Sequence, residues 1–93
     1  MTRLDLINEL LRYQDIEGLL AMGAPGDEYE SEAQMIADRV DDAERRTPDH
    51  KIAREEVETI VAAVWAEMFG LSDEDSRRRK DAFAAIATRL VPC

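Results

Sequence analysis

Val57, Ile60, Val61, Val64, Trp65, Met68 and Phe69 recur at i, i+3 and i+4 spacing, the mark of one wide buried helical face. A half-buried strand needs apolar and polar residues to alternate at every second position, and no stretch of the chain does so. This segment therefore commits the fold to helix packing. Glu55, Glu56 and Glu58 stand near its start, where the macrodipole favours acid, and Gly70 follows it, able to take the left-handed conformation that ends a helix. Aromatic residues make up only 5% of the chain while alanine, leucine and arginine are plentiful, which favours helix over sheet.

Three further segments carry helical signals. Thr2 can cap a helix running to about Arg12 or Tyr13, with Asp5 three residues on; Leu4, Ile7 and Leu11 form its stripe, widened by Leu6 and Leu10. A second helix is expected from Glu30 or Ser31 to about Arg46. Its inward face is Met35, Ile36 and Val40 with Ala33, Ala37 and Ala43, and Arg45 and Arg46 lie in its last turn. Thr47-Pro48 then breaks it, because the residue before proline avoids the helical region. A last helix opens at Ser72 with Asp73, Glu74 and Asp75 in its first turn, buries Phe83, Ile86, Ala87 and Leu90, and stops at Pro92. Between the first two helices, Ile16, Leu19, Leu20 and Met22 are expected to fold over the core in one short helical turn, ended by Gly23 and the Pro25-Gly26 turn. The fold class is thus all-α: one domain over residues 1–93, a small antiparallel bundle of three long helices and one short connecting helix.

Length and charge exclude several functions. Ninety-three residues make one domain with a thin core. No apolar run approaches the roughly 20 residues of a membrane span. Asp5 and Glu9 among the N-terminal leucines are unlike a secretion signal, so a cytoplasmic protein is expected. Cys93, the lone cysteine, can form no internal disulfide, and no catalytic thiol is expected of it. The net charge of −9 resides between Gln14 and Glu44, where ten acids meet one base, Arg39; elsewhere acids and bases balance. That distribution argues against binding nucleic acid or an anionic membrane, both of which need cationic surface.

No constellation suits catalysis. His50, the single histidine, stands in the turn TPDHK, which suits a solvated side chain better than a base. The sequence lacks a Cys/His cluster for zinc, a Glu-x-x-His pair for iron, the spacing of a calcium loop and a glycine-rich phosphate loop. No enzyme, cofactor or metal is therefore expected. The run Arg77 to Lys80 spreads around a helix rather than sharing a face, and Asp73, Glu74 and Asp75 stand four residues before Arg77, Arg78 and Arg79 as counter-charges.

The acids between Asp15 and Glu44 need more explanation. Glu32 suits a helix start, and Asp41 can pair with Arg45 four residues on. Asp15, Glu17, Asp27, Glu28, Glu30, Asp38, Asp42 and Glu44 have no cation close in sequence, and Asp38 and Asp42 repel at i, i+4. Two readings stand: a solvated face, or a docking surface for a basic protein. Tyr29 amid these acids could anchor such a partner or pack its ring on the bundle; Ser31 with Gln34 has the pattern of a capping box.

Gly23-Ala24-Pro25, Asp27-Glu28-Tyr29 and the acidic helix start that follows resemble a signature of YugE-like small bacterial helical proteins. In that family a GAP-x-DEY-D motif follows an aspartate-proline and glycine segment, and a later helix ends in an aromatic-glycine pair. Tyr13 to Gly18 stand here in the first position and Phe69-Gly70 in the last, so the likeness covers about Tyr13 to Gly70. Ile16 replaces the usual proline and Glu30 the usual capping aspartate; Ser31 is then expected to take over as cap. The resemblance implies a small helical bundle and no established activity, and related DEY-containing proteins are similar to members of bacterial toxin-immunity neighbourhoods.

The resulting expectation is a non-enzymatic module that docks a basic protein through Asp27, Glu28, Tyr29 and Glu30, supported by Asp38, Asp41 and Asp42. An immunity-like role is its most concrete form. The alternative is a structural or regulatory homo-oligomer joined by an apolar patch near Trp65.

Overall fold

A computed structural model describes residues 2–16, 18, 22–23, 29–49 and 51–91. Among these, five helices and no strand are found: α1 (Arg3–Gln14), α2 (Glu30–Arg46), α3 (Arg54–Phe69), α4 (Asp73–Arg78) and α5 (Lys80–Leu90). The all-α expectation holds. Helix α1 packs on α2, α2 on α3, α3 on α5, and α5 back on α1, so four helices close a ring around one core.

The start of α1 forms as its sequence dictates. Thr2 accepts from the Asp5 amide at 3.1 Å, and Asp5 accepts in return from the Thr2 amide at 3.2 Å, a reciprocal capping box. Helix α3 ends on Gly70 at φ 62°, and the Leu71 amide reaches back to the Ala66 carbonyl at 3.2 Å. The Gly70 amide bonds to the same carbonyl, and the closure lays Leu71 against the core.

Trp65 is the centre of the core, with no exposed surface. Its ring lies 5.5 Å from Tyr29, 5.0 Å from Phe69 and 6.4 Å from Phe83, so α3 is joined through it to the start of α2 and to α5. Each such aromatic pair contributes about 0.5–1.5 kcal/mol beyond its buried area. Around it pack Ile7, Leu10 and Leu11 of α1, Ala33, Ile36, Ala37, Val40 and Ala43 of α2, and Val57, Val61 and Val64 of α3. Phe83, Ile86 and Ala87 complete the enclosure from α5. The alanines of α2 let its backbone approach its neighbours closely.

Four local expectations are corrected. The last helix is not continuous: it breaks at Arg79, giving α4 and α5. The Arg79 guanidinium donates to the Asp75 carbonyl at 2.9 Å, the oxygen that Arg79's own amide would take in an unbroken helix. That amide bonds to Ser76 instead, and a side chain inserted into the ladder in this way kinks a helix. Second, the capping box at Ser31 and Gln34 does not form, because α2 already begins at Glu30 with Tyr29 as its cap residue. Gln34 donates to Asp38 at 3.0 Å instead. Third, Met22 is 75% exposed rather than folded over the core, while Ile16 does pack against it. Fourth, Met68 lies at the rim of the α3 stripe, 42% exposed. The Met22 amide bonds to the Gly18 carbonyl at 3.1 Å, and the residues between them lie outside the described residues. Glu17, Leu19, Leu20, the Pro25-Gly26 turn, His50, Pro92 and Cys93 lie outside the described residues.

Candidate functional site

The expected docking residues separate into distinct environments. Asp27 and Glu28 lie outside the described residues. Tyr29 is 1% exposed, so its ring is a core element and offers no anchor to a partner. Its hydroxyl donates to the Asp15 carboxylate at 2.8 Å. The ring is held inside because it fills the space beside Trp65 at the point where α2 begins.

The remaining acids lie along α2. A helix advances about 100° per residue, so Glu30, Asp41, Asp38 and Asp42 fall within an arc of about 120°. Ala33, Ile36, Val40 and Ala43 occupy the opposite side and are buried. Glu30, Asp38 and Asp42 are exposed, and Asp41 is half-exposed at the edge facing α1. One solvent face of α2 therefore carries four carboxylates.

Neutralisation of this face comes from partners distant in sequence as well as near ones. Arg3, on α1, pairs with Asp41 and with Glu44, the latter at 2.9 Å from its second nitrogen. Asp41 thus does not pair with Arg45, as its spacing suggests, because Arg3 reaches it across the α1–α2 contact. These two carboxylates hold the Arg3 guanidinium above its usual pKa, the Glu44 hydrogen bond being the largest cause. Arg45 turns to Asp42 at 3.6 Å and Arg46 to the same carboxylate at 3.1 Å. The repulsion expected between Asp38 and Asp42 is relieved by those arginines on one side and by the Gln34 amide on the other. Arg39, the single base of the acidic stretch, faces away and binds Glu67 of α3 at 2.6 Å. Among the described residues no cation pairs with Glu30 or Asp38.

Glu32 is set apart from this face. It stands in the first turn of α2, as its dipole-compensating role requires, but it is 6% exposed and its Oε2 has no hydrogen bond among the described residues. The indole Nε1 of Trp65 is likewise buried with no acceptor among the described residues.

The apolar patch expected near Trp65 is also corrected. The indole is wholly enclosed by Tyr29, Phe69, Phe83 and the α3 valines, leaving only the rim residue Met68 of that stripe markedly exposed. Of the three acid-to-base pairs expected in α4, Glu74–Arg78 forms at 3.1 Å. Among the described residues no three His, Cys, Asp or Glu side chains converge as metal ligands, and no helix is long and apolar enough to cross a membrane.

No family model matches the chain, and neither the curated proteins nor the solved structures contain a match. Of the GAP-x-DEY segment, the structure describes Gly23 and Tyr29.

Proposed function

We propose that this protein is a non-enzymatic binding module that presents the acidic arc of α2 to a basic protein. The observation that carries the reading is the placement of Glu30, Asp38, Asp41 and Asp42 on one solvent face of a single rigid helix. Glu30 and Asp38 have no intramolecular cation among the described residues, so their charge is available to a partner's lysines or arginines. Asp42 and Asp41 share theirs with Arg45, Arg46 and Arg3 and define the rim. Tyr29 has no part in the contact; it fixes the start of the helix that bears it. An immunity-like role, in which this arc occupies the phosphate-binding cleft of a basic nuclease toxin, is the concrete form of the proposal.

The competing homo-oligomer joined beside Trp65 has less support, since the indole is enclosed. Affinity capture from host lysate tests the docking reading. A basic protein should be retained at low salt, less at moderate salt, and lost when Glu30→Lys and Asp38→Lys are combined. Retention indifferent to salt and to that charge reversal would overturn it.

A further inference from the structure

Helix α1 carries a stripe that starts in the core and runs out to solvent: Leu10 is a core residue, Leu6 packs against the core, and Glu9 and Tyr13 are exposed. Leu6, Glu9, Leu10 and Tyr13, at i, i+3, i+4 and i+7, line one wall of an open groove of about 450 Å³, with Arg89 of α5 on the other side. Tyr13 stands at its end 83% exposed, the most exposed large apolar side chain among the described residues. Leu6 is half-buried, and its remaining surface forms the groove floor with Leu10. An aromatic ring left almost bare beside an apolar groove that no described residue fills is costly to hydrate and is typical of a binding anchor.

The charges identify the occupant. Glu9 and Arg89 sit on the same groove, both exposed, and among the described residues neither forms an ion pair. A surface that offers one acid, one base, one projecting aromatic and one apolar slot complements itself under two-fold symmetry, where each residue meets the other's partner. The global charge favours the same face. Helix α1 has two bases and two acids, and α5 has two bases and one acid. Helix α2 has six acids and three bases. Two copies of a chain of net charge −9 repel least when they meet through α1 and α5.

We propose that this groove is occupied by a second copy of the chain. Tyr13 of each protomer inserts between Leu6 and Leu10 of its partner, and Glu9 of each pairs with Arg89 of the other. The dimer leaves the acidic arc of α2 facing solvent on both protomers, and it stands or falls independently of what that arc binds. To form a dimer in solution, this pairing must reach a dissociation constant on the order of 10–100 µM.

Sedimentation equilibrium of the full chain tests the arrangement, with circular dichroism confirming that each variant remains helical. Wild type should show a monomer–dimer equilibrium, and Tyr13→Ala should weaken it by about tenfold or more. Glu9→Arg and Arg89→Glu should each weaken it alone, since each sets like charges opposite one another. Mixed in equal amounts, those two variants should form a heterodimer, because both ion pairs are then restored. A wild type that stays monomeric at several hundred micromolar, on the order of ten times that constant, would overturn the proposal. So would a dimer that survives Tyr13→Ala, or a mixture that fails to associate better than either single variant.

Discussion

The Tyr29 hydroxyl donates to the Asp15 carboxylate at 2.8 Å, joining the residue that ends α1 to the residue that begins α2. Asp15 holds φ 42°, a left-handed conformation that aspartate tolerates better than most residues. Its amide still bonds to Leu11 at 2.9 Å. Tyr29→Phe keeps the ring against Trp65 and removes only the hydroxyl, so it should cost about 1–2 kcal/mol. Asp15→Ala should cost more than Asp15→Asn, since alanine loses both the acceptor and the tolerance of αL. Urea unfolding checks this: the midpoint should fall with an unchanged slope.

Trp65→Ala should be the most damaging single change in the core. It removes three aromatic contacts and leaves a cavity, at about 3–5 kcal/mol, a large part of the total of about 5–15 kcal/mol that holds a small domain folded. Trp65→Phe should cost less, because it keeps a ring and also removes an indole N–H that is buried with no acceptor among the described residues. As the chain's single tryptophan, Trp65 should emit at short wavelength when native and shift to the red on unfolding. An emission maximum already at the solvated position in the native protein would contradict its burial.

Arg3 ties α1 to α2 through Asp41 and Glu44. Its side chain is 36% exposed, so the connection is screened and worth about 1 kcal/mol at low salt. Arg3→Lys should recover less than half of that, since an ammonium cannot hold both carboxylates with a planar fork. Thermal unfolding at low and high salt separates the cases: the gap between wild type and Arg3→Gln should narrow as salt rises.

The Arg39–Glu67 pair between α2 and α3 sets an expected pH dependence. The hydrogen bond from Arg39 holds the Glu67 carboxyl below its ordinary value. In the acid range the unfolded chain therefore binds this proton before the folded chain does. The pair's stabilisation is complete above the ordinary carboxylate pKa and disappears as pH falls through the lowered one. Wild type and Glu67→Gln should differ most at neutral pH and converge in acid. A difference that grows as pH falls would contradict the assignment.

The helices were legible because their signals are local. The Thr2–Asp5 box, the Ser72 cap, Gly70 and the stripe of α3 each involve residues within a turn or two of one another. Features set by contacts across the fold were not. Spacing pointed Asp41 at Arg45, yet Arg3 takes it, because only the packing of α1 on α2 brings those residues together. Tyr29 sits among acids in sequence and reads either as a partner's anchor or as a ring packed on the bundle; Trp65 and Asp15, from distant parts of the chain, decide for the second. The break at Arg79 goes with a side chain that bonds a backbone oxygen four residues earlier, a contact that periodicity does not encode. Of the acidic residues singled out in the sequence, Glu30, Asp38, Asp41 and Asp42 lie on one solvent-facing arc of α2, while Tyr29 lies in the core.

The central claim concerns that arc, and the association rate of the captured basic protein tests it most directly. Measured against ionic strength, the wild-type rate constant should fall steeply with salt. Combining Glu30→Lys with Asp38→Lys should lower it by about tenfold or more at low salt, as expected when steering charge is reversed. Glu9→Lys, on α1 and outside the acidic arc, should leave it within about twofold. An association rate that is flat in salt, or that Glu9→Lys slows as much as the α2 variant does, would contradict the account.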